Sequence, residues 1–167
     1  MGIVSLCGFM GSGKSSVGKR LAAILGCPFL DLDREIELRT GRKIPHIFRE
    51  DGEAGFRRIE LDCLKAVLSE HENDPQLVLS LGGGTLTQRE ARDLVRTRTS
   101  CVFLRTRPDT IRRRLAASHQ ERPLLDSATL EQLLQSRMQD YCETAVRMID
   151  TDGLSPQRIA LKLSKFL

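Results

Sequence analysis

At 167 residues the chain suits one domain over residues 1–167, long enough to bury a single core. Its net charge of +4 comes with 4% aromatic residues and no tryptophan, and the basic residues, such as the run Arg112, Arg113 and Arg114, are not interleaved with aromatics, which argues against nucleic acid as a partner. No apolar run is long enough for a bilayer, no leader precedes the first strand, and five scattered cysteines without C-x-x-C or zinc spacing leave no disulfide framework or zinc site; a cytoplasmic monomer acting on small anions, away from membranes, is expected.

Short apolar runs then alternate with helical patterns. GIVSLCGF (2–9) predicts a buried strand, and KSSVGKRLAAILG (14–26) a helix closed by Gly26 and followed by Pro28. PFLDLD (28–33) predicts a second short strand, with Asp31 and Asp33 two apart and therefore on one face. Residues 34–40 and 44–50 predict short helices broken by Gly41 and Gly52. Residues 53–72 form a long amphipathic pattern, Phe56, Ile59, Cys63, Val67 and Glu70 stepping along one side. QLVLSLGGG (76–84) is a third strand stopped by three glycines, SCVFLR (100–105) a fourth and RMID (147–150) a fifth. Residues 156–166 predict a closing helix with Ile159, Leu163 and Phe166 on one face. Such alternation implies an α/β fold with a parallel sheet covered on both sides. Ligands of such sheets gather beyond the carboxyl ends of the strands, where Gly8, Asp31, Asp33, Gly82, Gly83 and Gly84 fall.

GFMGSGKS (8–15) matches G-x-x-x-x-G-K-[ST] between a predicted strand and a predicted helix. Gly8, Gly11 and Gly13 let backbone N–H groups turn inward, so Gly11, Ser12, Gly13, Lys14, Ser15 and Ser16 are the expected nucleotide-binding segment. Lys14 is expected at the β- and γ-phosphates and Ser15 on Mg²⁺. No N-K-x-D motif supports a guanine switch, and the third strand ends in glycine rather than an acidic residue. Asp31 is then the available carboxylate on the magnesium side, acting through water.

The decision about the acceptor rests on the order of further motifs: D-L-D at 31–33, GRKIPHIFREDGEAGFRRIE at 41–60, LGGG at 81–84, ERPLL at 121–125, Arg137 with Tyr141 four residues on, and IDTDGLSP at 149–156. The chain resembles the shikimate kinase family. The family pattern G-x-x-I-x-x-I-F-x-x-x-G-E-x-x-F-R-x-x-E is met at every fixed position from Gly41 to Glu60. The resemblance implies a three-layer α/β/α sandwich with a five-stranded parallel sheet, a P-loop kinase fold with a substrate region at about 33–60 and a mobile lid at about 112–125. It also implies phosphorylation of the 3-hydroxyl of shikimate by ATP with Mg²⁺. Lys14, Asp33 and Arg122 then take the catalytic roles, with Arg122 on the ATP phosphates from the lid. Asp33, Arg57, Gly82, Gly83, Gly84 and Arg137 bind shikimate, the two arginines gripping its carboxylate. Phe48, Phe56 and Glu60 brace the pocket.

The chain departs from the family before the lid, where Ala116 and Ala117 stand in the register of an adenine-stacking arginine; Arg113, Arg114 or an apolar contact is left to take that place. A sugar-acid kinase such as a gluconate kinase shares the P-loop and an anionic acceptor, but not the 41–60 motif. A silent P-loop protein is disfavoured by the retention of Lys14, Asp33, Arg57 and Arg122.

Overall fold

Every residue of the first strand, β1 (Ile3–Cys7), is buried, and its apolar side chains divide between two cores. In the computed structural model, which describes residues 2–73, 76–117 and 127–166, Val4 and Leu6 pack into one core and Ile3 and Cys7 into another. This is the period-2 alternation of a strand covered on both faces. The remaining strands are β2 (Phe29–Asp31), β3 (Val78–Ser80), β4 (Thr99–Arg105) and β5 (Arg147–Asp150). They pair in the order β2-β3-β1-β4-β5, parallel throughout.

One face carries α1 (Lys14–Leu25) and α7 (Pro156–Ser164), which bury Val17, Leu21, Ile159 and Leu163 against Val78, Val102 and Leu104. The other carries α2 (Leu32–Thr40), α3 (Ile44–Glu70), α4 (Arg89–Arg98) and α6 (Ser127–Thr144), which bury Ile36, Phe56, Leu64, Val95 and Tyr141 against Leu79, Cys101 and Phe103. α5 (Pro108–Ala116) lies at the carboxyl end of β4, where Ile111 joins Phe9, Leu130 and Leu134 in a third cluster. The expected three-layer α/β/α sandwich with five parallel strands is what forms. No helix among the described residues is long and apolar enough to cross a membrane.

Three details differ from the sequence pattern. Asp33 is not on a strand: β2 ends at Asp31, and Leu32, fully buried, opens α2, so Asp33 stands in the first turn of a helix. The break expected at Gly52 is present: its φ of 68° and ψ of −176° are non-helical and divide α3 into two helical segments at a kink. α4 forms over residues for which no element was expected, burying Ala91 and Val95, four apart on one face. Phe166 lies beyond the end of α7 and is exposed, with the guanidinium of Arg147 over its ring. Glu70, the polar member of the α3 stripe, is accounted for by Arg39 on α2, which binds it through two nitrogens at 2.9 and 2.7 Å. Those hydrogen bonds hold the Glu70 carboxyl below its ordinary range.

Candidate active site

The carboxyl ends of β1, β2 and β3 open onto one cavity of about 240 Å³. Gly13, Lys14, Ser15, Asp31, Asp33, Gly83 and Arg114 are among the residues that line it. The loop after β1 depends on left-handed glycines: Gly11 has φ 75° and Gly13 φ 96°, and Gly13 passes directly into α1. The free N–H groups and positive dipole end of α1 are thereby aimed at the cavity. Lys14 Nζ donates to the carbonyls of Gly8 at 2.8 Å and Phe9 at 3.0 Å, so the ammonium is folded across its own loop. Ser12 is buried, and its N–H donates to Phe9 O at 3.1 Å. That bond closes the turn from within, so Ser12 shapes the loop while its neighbours face the cavity.

Ser15 Oγ donates to Asp31 Oδ2 at 2.6 Å. A hydroxyl and a carboxylate held together at the cavity wall are a hard-oxygen pair of the kind Mg²⁺ accepts, since Mg²⁺ keeps several waters and takes only one or two protein ligands beside substrate phosphates. No group of three or more His, Cys, Asp or Glu able to cage a metal occurs among the described residues.

The glycines after β3 are close-approach positions rather than a plain turn. A Cβ on Gly82 would stand 2.8 Å from Glu60 Oε1 and 2.9 Å from both Asp33 Oδ1 and Thr85 Oγ1. A Cβ on Gly84 would overlap the guanidinium of Arg57, and one on Gly83 would stand 3.6 Å from Arg137 Nη1. Three consecutive residues therefore gather Asp33, Arg57 and Arg137, which come from α2, α3 and α6. Arg57 Nη1 donates to Glu60 Oε2 at 2.6 Å, and Nη2 lies 3.5 Å from Glu53. Arg137 donates to Gly83 O at 3.3 Å, with its guanidinium carbon 5.5 Å from the centre of the Phe9 ring. Tyr141, one turn further along α6, donates to the same carbonyl; burial pushes its phenol well above the ordinary 10.0, against the pull of Arg137. Phe56 is buried under Phe48, ring centres 4.5 Å apart, while Phe48 itself stays partly exposed at the surface.

The model of the shikimate kinase family matches residues 10–167. A shikimate kinase of Thioalkalivibrio sulfidiphilus is 40% identical over 167 residues, covering 98% of this chain and 85% of that protein. The chain belongs to the shikimate kinase family. Among solved structures, a shikimate kinase from Acinetobacter baumannii in complex with shikimate superposes with a TM-score of 0.91 at 36% identity, covering 99% of this chain and 92% of that one. One from Bacteroides thetaiotaomicron gives 0.89 at 31%, covering 99% and 97%. A gluconokinase from Sinorhizobium meliloti, at 22% identity and a TM-score of 0.61, shares the fold alone.

Within this kinase the structure brings together Lys14, Ser15, Asp31, Asp33 and Gly83 in one cavity, with Arg57 and Arg137 packed on the glycines at its edge. The expected Arg122, and the expected lid from residue 118 onward, lie outside the described residues. Of the arginines left open for the adenine side, Arg114 is the one at the site: its Nη1 donates to Gly11 O at 3.1 Å and Ser12 O at 3.0 Å. Two contributors carry no motif at all. Thr85 and Gln88 both donate to Glu60, at 2.7 and 3.3 Å, across 25 and 28 residues of chain. A second, larger cavity of about 640 Å³ lies between α5, α6 and the ends of β4 and β5, and no residue of the phosphate loop lines it.

Proposed function

We propose that the chain transfers the γ-phosphoryl group of ATP to the 3-hydroxyl of shikimate, giving ADP and shikimate 3-phosphate, a step in the synthesis of aromatic amino acids. The observation that carries this reading is the glycine loop: it places a cationic pair, Arg57 and Arg137, and a carboxylate, Asp33, beside the phosphate-loop cavity. An anionic, hydroxylated acceptor presents the complementary groups, a carboxylate for the guanidiniums and hydroxyls for Asp33.

In this reading Asp33 accepts a hydrogen bond from the acceptor hydroxyl, aims its oxygen at the γ-phosphorus and takes its proton as the bond to phosphorus forms. The bond from phosphorus to the β–γ bridging oxygen breaks, and the electron pair leaves with ADP. The transition state of such a transfer is loose, so positioning and charge carry most of the catalysis. Lys14, displaced from its own loop carbonyls by the incoming phosphates, follows the charge onto the transferring group. Arg114 contacts the nucleotide from α5, and Arg122 approaches the phosphates from a lid at about 112–125 that sheds water from the site. Ser15 and, through water, Asp31 would hold Mg²⁺, which would supply positive charge to offset that of the ATP phosphates.

An acceptor screen tests the reading. ATP consumption and product identity are measured with shikimate, with gluconate and with no acceptor. Turnover is expected with shikimate alone, and Lys14→Met is expected to lower it by about 10²–10³. Equal phosphorylation of gluconate, or full activity in Lys14→Met, overturns it.

A further inference from the structure

The glutamate behind the substrate arginine is held by more than that arginine. Glu60 is 1% exposed, and its two oxygens are divided among three donors. Oε1 accepts the Thr85 hydroxyl at 2.7 Å. Oε2 accepts Arg57 Nη1 at 2.6 Å and the Gln88 amide at 3.3 Å. A carboxylate with both oxygens open takes a guanidinium as a planar fork, one N–H to each oxygen. Thr85 holds Oε1 and competes with Arg57 for it, and Arg57 meets Glu60 with one nitrogen alone, Nη1 to Oε2. Its other terminal nitrogen is turned toward Gly84 and the exposed side of the site, where Glu53 lies 3.5 Å away and is itself 72% exposed.

We propose that Thr85, assisted by Gln88, is a positioning residue for shikimate binding: by occupying Glu60 it keeps Arg57 end-on and leaves the outer edge of the guanidinium for the substrate carboxylate. This rests on the reading of Arg57 as a carboxylate grip. The turn that carries Thr85 is built to hold a fixed position. Thr85 is fully buried, and the hydroxyl of Thr87 donates to Gly84 O at 2.7 Å. Arg92 Nη1 donates to Leu86 O at 2.7 Å and pairs with Asp140 of α6 at 2.9 Å, which ties the turn to the helix that also carries Arg137. Without the Thr85 hydroxyl, Oε1 is open to Arg57, and the guanidinium swings into the fork and away from the substrate.

Steady-state kinetics with each substrate varied in turn tests this. Thr85→Val keeps the shape and removes the donor; Thr85→Ser keeps the donor. Thr85→Val is expected to raise the KM for shikimate about tenfold, the scale of a hydrogen bond to a charged group, with kcat and the KM for ATP held within about twofold. Thr85→Ser is expected to restore the native KM, and Gln88→Met to shift the same parameter by less. An unchanged shikimate KM in Thr85→Val overturns the proposal. So does an equal rise in the KM for ATP, or a Thr85→Ser protein as impaired as Thr85→Val, since either marks a merely structural residue. Should Thr85→Val fail to fold, Gln88→Met decides, and a native shikimate KM there overturns the proposal. Arg57→Ala is measured alongside. A native shikimate KM in that variant removes the carboxylate grip itself, whereas a large effect there with none in Thr85→Val refutes the role of Thr85 alone.

Discussion

Replacing Gly84 with alanine perturbs the arginine side of the site through a single methyl group. The backbone at Gly84 has φ −108° and ψ 0°, which an alanine can adopt, so the cost falls on what the new Cβ meets. Its nearest contacts are all with Arg57: it overlaps Nη2 and stands 2.8 Å from Cζ and 2.9 Å from Nη1. Carbon contacts settle at roughly 3.5–4.0 Å, so the guanidinium must retreat by roughly 1 Å. It has little freedom to do so, being bonded to Glu60 at 2.6 Å with Cζ 5.2 Å from the centre of the Phe56 ring. Losing one charge-assisted hydrogen bond to the substrate costs about 1.5–3 kcal/mol, or roughly 10- to 150-fold in shikimate affinity. A coupled assay of ADP release, with shikimate varied at saturating ATP and then the reverse, reads that loss as a rise in one KM alone. The same substitution in an Arg57→Ala background is expected to add less than about threefold, because the residue it displaces is gone. An equal penalty in both backgrounds, or a native shikimate KM for Gly84→Ala, refutes the reasoning.

Arg114→Ala is expected to raise the KM for ATP about tenfold and leave that for shikimate unchanged, checked by kinetics and by calorimetric titration with ADP. Asp33→Asn and Asp33→Ala are expected to lose turnover alike, each by about 10² or more, while nucleotide binding survives; an amide oxygen is a weak base and the amide can present its NH₂ group instead. Asparagine retaining far more turnover than alanine would instead mean that hydrogen-bonded positioning is sufficient. Tyr141 gives a dependence on pH: its folded pKa is raised by burial, so its contribution to stability is complete below the ordinary 10.0 and declines as pH rises above it. Thermal melts of Tyr141→Phe are expected to show a shallower alkaline loss than the native chain, and an equally steep one would contradict the assignment.

The nucleotide half of the site is legible in the sequence because phosphates are bound by one continuous stretch of backbone. Residues 8–15 need only a strand before them and a helix after, and both are written in the apolar pattern. The motif at 41–60 is likewise contiguous, and it carries Phe56, Arg57 and Glu60 together. Asp33 lines the cavity beyond the strand ends, but from α2 rather than from a strand. β2 ends after three residues, the number that pair with β3, and burial of Leu32 and Ile36 turns the chain into a helix where alternation alone suggested more strand.

Three adjacent arginines mark the limit of the sequence. Arg112, Arg113 and Arg114 are equivalent in composition, and only the phase of α5 against its neighbours separates them. Ile111 is buried beside Phe9, and both Ile111 and Leu115 lie next to Gly11, so the helix is rotated to lay one face on the phosphate loop. Arg112 then reaches Asp109 and Glu131, Arg113 reaches Thr110, and Arg114 alone bonds the loop carbonyls. The same holds for Thr85 and Gln88, which no local pattern joins to Glu60. A helix can be read from its own residues, since its hydrogen bonds are local. The direction in which it presents a given side chain is set by contacts far away in the chain, and those exist only once the sheet has assembled.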